Sequence, residues 1–460
     1  MNEFAALAYD SIDDFVYGTA PRPVRARNGL AIGAGAVYPE INFTLPAMTI
    51  DASTMPEVLA HYAEMTEGVL KRAVELQAPG LILEIELLPP TTLQPAWGME
   101  IHKLVRDRMH AFESAFGLKS ALRITPSDVR DIVRPPVMRR GEVWEAMLRT
   151  FEGCARDGAD FLAIESTGGK EVHDDALVNA DLPKVLFALG VMGVRDMQFL
   201  WTQIVSIADE TGSIAAGDTA CGFGNTAMVL AERGFIPKVF AAVVRVATVA
   251  RSLAAYEMGA RGPSKDCAYE GPYLKAIAGV PIAMEGKASA CAHFSPVGNI
   301  AAAVADLWSN ESVQNVKLLS GMAPVVSLEQ LVYDCRLMNE AAREGREGVL
   351  RLQKWLTDSD ARLDPQAYVL RPDIVFGISR EIVRAKTPFQ RTVRAAEAAV
   401  EALRGGLARG ALAVPERELP YLDVMSRQLE RIPADEEELW RELKGELERE
   451  TFIPSEYGLS

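Results

Sequence analysis

A chain of 460 residues with 49% apolar and 24% charged residues can build a large hydrophobic core and is too apolar to stay disordered. With 48 Lys and Arg against 63 Asp and Glu, the net charge is −15, which excludes the basic balance of a duplex nucleic-acid binder. Five cysteines are too few, and odd in number, for a disulfide framework. Length alone leaves open about three domains of ~150 residues or one enlarged α/β barrel.

The first residues, Met1 to Val16, carry Glu3, Asp10, Asp13 and Asp14 and no basic residue, so they do not read as a secretory signal. Residues 1–50 read as irregular, with Pro21, Pro23, Pro39, Pro46 and a cluster of glycines. From Met55 the apolar spacing Val58, Leu59, Tyr62, Met65, Leu70, Val74 predicts a helix, closed by Pro79-Gly80. Leu81–Leu87 then reads as a strand whose carboxylates, Glu84 and Glu86, point to one face. Further strands are expected at Ala121–Thr125, Phe161–Glu165, Ile214–Asp218, Ile282–Glu285 and Val316–Ser320. Between them lie the helices Val143–Arg156, Leu182–Leu189, Thr226–Arg233 and Ala301–Leu307.

Alternating strand and helix argues for a parallel sheet with helical cover. Six strands are two short of an eightfold barrel, and the helical stretch Val172–Glu210 is where a missing pair could hide. Pattern alone leaves barrel and doubly wound sheet both open. Past Gly321 the chain turns helical, over Leu328–Thr357 and Thr392–Arg409, and Asp435 with Glu438 makes a capping pair for a last acidic, solvated helix. The longest apolar run, Val239–Met258, is interrupted by Arg245, Arg251 and Glu257 and falls short of a membrane span. A cytoplasmic protein with reduced thiols is expected.

Several motifs fail on spacing. Gly168-Gly169-Lys170 lacks the earlier glycine and the Ser or Thr of a phosphate loop, and Gly222-Phe223-Gly224 lacks a third glycine in register. Cys154 and Cys335 fall inside helices and read as small core residues. Cys221 differs, because it follows a strand and precedes a helix that Asn225 or Thr226 could cap, where amide dipoles favour a thiolate. Cys267 sits in a turn-rich segment, and Glu165 closes an apolar strand. Two thiolates and a carboxylate on one rim suit Zn²⁺ with an open fourth position. Cys291 and His293 form a C-x-H pair that could ligate a metal or face a partner. His61, His102 and His110 read as packing or surface residues.

The stretches Gly217-Asp218-Thr219-Ala220-Cys221-Gly222-Phe223-Gly224-Asn225-Thr226, Asp266-Cys267-Ala268-Tyr269-Glu270 and Gly286-Lys287-Ala288-Ser289-Ala290-Cys291-Ala292-His293 resemble the methanol:corrinoid methyltransferase family, and the likeness runs over most of the chain. The resemblance implies a (β/α)8 TIM-type barrel with an additional N-terminal segment and C-terminal helices. The matching division is an extension at 1–75, a barrel with the zinc site at 76–325, and a helical region at 326–460. It also implies that Glu165, Cys221 and Cys267 hold one Zn²⁺ per chain, and that methanol is the methyl donor. The corrinoid would come from a partner corrinoid protein, with the catalytic chains paired as a homodimer in a hetero-oligomer, in methanogenesis or acetogenesis. Neither nucleic acid nor membrane is expected as a partner.

Glu84 and Glu86 are the candidates for handling the hydroxyl proton, and Cys291–Asn299 is a candidate docking segment. Two alternatives stand beside this reading: zinc-dependent methyl transfer to a thiol in a related barrel, and a metal-free scaffold for a corrinoid protein.

Overall fold

The computed structural model describes residues 4–460 apart from 266, 288, 290–294, 314–316, 319–320 and 448–450. Eleven strands run along the described chain: β1 (Thr19–Arg25), β2 (Ala31–Ala34), β3 (Tyr38–Thr44), β4 (Leu81–Leu87), β5 (Ser120–Pro126), β6 (Phe161–Ala163), β7 (Ile214–Gly217), β8 (Ala283–Glu285), β9 (Leu307–Val313), β10 (Lys317–Leu318) and β11 (Gly321–Met322). Seven form one parallel sheet in the order β7-β6-β5-β4-β3-β9-β8. The eighth place is taken by the segment 261–265, which is not a regular strand because Gly262 turns it at φ 79°. The Arg261 N–H donates to the Ala215 carbonyl at 2.8 Å on one side, and Ser264 bridges Ile282 in parallel on the other. The sheet thereby curls into a (β/α) barrel, and the doubly wound alternative falls away.

Side chains alternate across these strands. Leu83, Ile85, Leu122, Ile124, Leu162 and Ile164 face outward into the main core beneath the helices. Ile82, Ala121, Phe161, Ile214, Ala283 and Leu307 fill the lower barrel interior, and the β1–β2 hairpin plugs that end with Val24, Leu30 and Ile32. Above this apolar layer the interior turns polar. Arg123 and Glu40, 0% and 1% exposed, pair there at 2.6 Å, and Glu84, Glu86 and Thr125 follow toward the C-terminal mouth.

Three expectations need correction. Residues 1–50 are not irregular: they hold the plugging hairpin and β3, so the sheet begins ahead of residue 76. Pro39 and the inward Glu40 and Asn42 broke the apolar alternation that marks a strand. The helix Ala301–Leu307 stops by Val304, and the strand placed at Val316–Ser320 runs instead at Leu307–Val313. There the inward face carries Ser309 and Glu311, so the segment lacked a strand's composition. Lys317 and Leu318 pair only with β11 in a small hairpin, and 316 and 319–320 lie outside the described residues. Finally, Val172–Glu210 hides no strand. It is helical over Lys170–Val178, Leu182–Phe187 and Val194–Thr211, with a π-helical stretch at Ala188–Gly193.

Beyond the barrel, helix Ala323–Arg343 packs beside β3 and β9, and Arg346–Asp360, set off from it at Gly345, lies against it and against the turns at Gly298–Val304. Helix Pro388–Ala408 lies on Lys238–Ala247 and Val249–Glu257. The apolar stretch Lys238–Glu257 is long enough to cross a membrane by composition and is entirely buried inside the fold. Asp435 caps the last acidic helix, its carboxylate accepting from the Glu437 and Glu438 N–H groups at 3.0 and 3.2 Å. That helix buries Leu439, Trp440 and Leu443, and the chain's final turn returns to the barrel rim through Glu456 and Tyr457.

Candidate metal centre

Three loops at the C-terminal mouth bring Glu165, Cys221 and Cys267 together, with all their donor atoms within 4.8 Å of one another. Each arrives by a different local device. Glu165 continues the inward alternation of β6 two residues past Ala163. Cys221 opens the helix Cys221–Glu232, with Ala220 as its N-cap, so the helix begins earlier than Asn225 or Thr226. Its sulfur also lies 3.2 Å from the Thr219 hydroxyl. Cys267 follows the eighth barrel position, and its sulfur is 3.8 Å from Glu165 Oε1.

The sulfurs of Cys221 and Cys267 lie against each other, with the Cα atoms 5.5 Å apart. Two strand-end loops aim both side chains into one cavity, so the same juxtaposition serves an oxidised pair or a reduced dithiol able to share a metal. Cys154 and Cys335 are buried and free, as expected, and burial pushes both thiols up.

Lys265 is the residue that sequence reasoning passed over. Its ammonium, 5% exposed, lies 3.2 Å from Glu84 Oε1 and 3.0 Å from Glu165 Oε1, and also contacts Glu86. Burial disfavours its charge, but the carboxylates of Glu165, Glu84 and Glu86 outweigh that and hold it well above the usual lysine range. Burial likewise pushes the Glu165 carboxyl up to about 7, against the pull of Lys265. For Glu86 the lysine wins over burial and the carboxyl is held low. The only available signal was position, two residues before Cys267 in a turn-rich segment.

Glu84 and Glu86 share a face and are both salt-bridged, yet they are not equivalent. Glu86 is 24% exposed and lines the cavity, whereas Glu84 is 3% exposed and accepts a 2.6 Å hydrogen bond from Thr125 behind it. The cavity itself measures about 420 Å³ and is walled by Glu86, Glu165, Cys221, Cys267, Asn225 and Glu311. Cys291 and His293, the rival pair, lie outside the described residues, as does part of the docking candidate 291–299. His102 is buried with Nδ1 2.9 Å from Asp157, a packing role as expected.

The donor set fits zinc: two thiols and a carboxylate from a barrel rim, converging on a cavity that leaves one side open. Fold and site together define an α/β-barrel protein with a thiol–carboxylate centre at its C-terminal mouth, the face where such barrels carry their chemistry.

Residues 1–458 match the family described as MtaB, methanol-cobalamin methyltransferase B subunit. The chain is 38% identical, over 464 aligned residues and 99% of both proteins, to the methanol–corrinoid protein co-methyltransferase of Methanosarcina barkeri (strain Fusaro). Its fold superposes with a TM-score of 0.93, at 36% identity and 99% coverage of both chains, on the crystal structure of the methanol:cobalamin methyltransferase complex MtaBC from Methanosarcina barkeri. The chain belongs to the methanol-cobalamin methyltransferase B subunit family.

Proposed function

We propose that this chain transfers the methyl group of methanol to the cobalt of a partner corrinoid protein, with one zinc ion held by Glu165, Cys221 and Cys267. The observation that carries the proposal is the convergence of those three side chains at the mouth of a barrel of this family. Bound there, zinc supplies Lewis acidity toward an alcohol oxygen, which methanol needs because its own leaving group is poor.

The chain's own residues divide the remaining work. Cys221 and Cys267 bind metal as thiolates, and the helix N-terminus at Cys221 favours the charged form. Lys265 offsets part of the negative charge that two thiolates and three carboxylates gather in one place. Proton handling falls to Glu86, which faces the cavity and can accept a hydrogen bond from the substrate hydroxyl, while the shielded Glu84 holds the shared Lys265. At about 420 Å³ the cavity is far larger than a one-carbon alcohol requires, which leaves room for the reactive face of a corrinoid. Pairing of two such chains in the complex, and a cytoplasmic setting, belong to the same proposal, and light scattering of the mixed proteins tests the first.

The deciding experiment mixes the reduced, zinc-loaded protein with Co(I) corrinoid and methanol and follows the spectrum to methyl-Co(III). Cys221→Ser and Cys267→Ser are expected to lose zinc and activity while staying folded. Methylation of a thiol from a methyl-Co(III) donor, without any reaction of methanol, would replace this reading with the thiol-methylating one. Less than about one zinc per chain in the reduced protein after incubation with Zn²⁺ would instead favour a scaffold.

A further inference from the structure

The apolar run Val239–Met258 carries two arginines that a core helix gains nothing from in packing alone. It folds as the helices Lys238–Ala247 and Val249–Glu257, in which Arg245, Arg251 and Ser252 are all fully buried. Each reaches a loop that bears one of the candidate ligands. Arg251 Nη2 donates to the Ser166 carbonyl at 2.8 Å and lies 2.6 Å from its hydroxyl, one residue beyond Glu165. Asp218 Oδ2, 3.5 Å from the same guanidinium, accepts from the Ser166 hydroxyl at 2.6 Å and from its N–H at 3.2 Å. The loop leading to Cys221 is thus fastened to the loop leaving Glu165.

The next residue of the helix makes the second tie. Ser252 Oγ donates to Glu270 Oε1 at 2.6 Å, and that oxygen also accepts from the Ala220 N–H at 2.6 Å. This joins the residue before Cys221 to the loop leaving Cys267. Arg245 completes the set, donating to the carbonyl of Ala268, the neighbour of Cys267, with its other terminal nitrogen held by Gln366 at 2.7 Å.

We propose that Arg251, Ser252 and Arg245, acting through Asp218 and Glu270, are positioning residues that hold the three metal-binding loops in register before metal arrives. The inference rests on the zinc reading and goes beyond it, because it assigns preorganisation of the site to one buried helix pair. The ligands come from three loops far apart in sequence, so without these ties the metal would have to order all three on binding. Partners that orient ligands from behind set metal affinity by about 10–100-fold.

The test uses the full chain, reduced and metal-free, titrated with Zn²⁺ against a chromophoric chelator and with Co²⁺, whose thiolate charge-transfer and d–d bands report donor number and geometry. Arg251→Lys and Glu270→Ala are expected to weaken Zn²⁺ binding about 10–100-fold and to alter the cobalt bands. Glu270→Gln keeps an acceptor for both hydrogen bonds and is expected to rescue affinity and spectrum. Should Arg251→Lys fail to fold, Ser252→Ala, which deletes a single hydroxyl and one hydrogen bond, carries the same expectation at about threefold to tenfold. Ile32→Ala, a core change in the hairpin that plugs the opposite end of the barrel, is expected to lower the melting temperature and leave Zn²⁺ affinity alone.

Wild-type affinity and cobalt spectrum in folded Ser252→Ala and Glu270→Ala would overturn the proposal, as would an equal loss of affinity in Ile32→Ala. A reduced wild-type chain that binds no Zn²⁺ would sink the functional reading itself, which is a distinguishable result.

Discussion

Replacing Arg123 with Met breaks the buried ion pair beneath the site. Arg123 Nε donates to Glu40 Oε1 at 2.6 Å and Nη2 to Oε2 at 3.3 Å, with both residues at most 1% exposed. Its Nη1 also donates to the Pro263 carbonyl at 2.8 Å, in the segment that closes the barrel and hands on to Lys265 and Cys267. Removing one partner leaves an uncompensated buried carboxylate, which costs about 3–5 kcal/mol. Unfolding a chain of 460 residues carries an entropy of about 1 kcal/mol/K, from about 2.1 cal/mol/K per residue, so the melting temperature should fall by about 3–5 °C.

A pH series sharpens the test. Burial already holds the Glu40 carboxyl above its ordinary 4.5 despite Arg123, and losing the guanidinium raises it further. A carboxyl raised in the fold binds more protons than in the unfolded chain, so stability falls as pH rises through the folded value. The deficit should therefore be full at pH 8 and shrink toward pH 4.5. Scanning calorimetry on Arg123→Met and on the double variant Arg123→Met/Glu40→Leu checks the reasoning. The double variant, with no charge left to desolvate, should melt within about 2 °C of the wild type. A single variant as stable as wild type, or a double variant no better than the single, would refute the account.

Other expectations follow from the same physics. Asp218 is pushed up to about 7 by burial, so its ionisation costs stability as pH rises from 3.8 toward 7. Asp218→Asn should flatten the denaturation midpoint over that range, removing up to about 4 kcal/mol of pH dependence, and an unchanged slope would contradict the assignment. Tyr457→Phe takes away the hydroxyl that accepts the Gly169 N–H at 3.0 Å, a buried donor whose loss of partner should cost about 1–3 kcal/mol in urea titration. Gly217 sits at φ +106°, and a Cβ there would collide with the Tyr256 hydroxyl. Gly217→Ala should cost roughly 2–5 kcal/mol, read as a lowered melting temperature or as loss of soluble protein on expression.

What the sequence disclosed, and what it withheld, follows from how a barrel places its residues. Outward strand faces are apolar in runs, so Leu81–Leu87 and the strand starting at Phe161 were visible, and strand-end chemistry put Glu165, Cys221 and Cys267 on one rim. Hidden strands were those in which a polar inward face is joined by a break in the outward run, Pro39 in Tyr38–Thr44 and Asn310 in Leu307–Val313, whereas Leu81–Leu87 keeps Leu83 and Ile85 outward beside Glu84 and Glu86. Tyr38–Thr44 turns Glu40 and Asn42 inward, and Leu307–Val313 turns in Ser309 and Glu311. Each breaks the apolar signal for the same reason: the upper interior of this barrel is a charged layer serving the site, so the strands that build it forgo a strand's usual composition.

Lys265 and Arg251 were invisible in a different sense. A lysine beside a cysteine and an arginine in an apolar helix have no local signature, because their meaning lies in partners far along the chain. Lys265 meets Glu84 and Glu86, and Arg251 meets Ser166 and Asp218. The interruption of Val239–Met258 by charge was nonetheless a readable clue. Burying a guanidinium costs several kcal/mol unless its partners are fixed. An arginine kept in the most apolar stretch of the chain therefore marks a place where the fold sacrifices packing to hold something else in position.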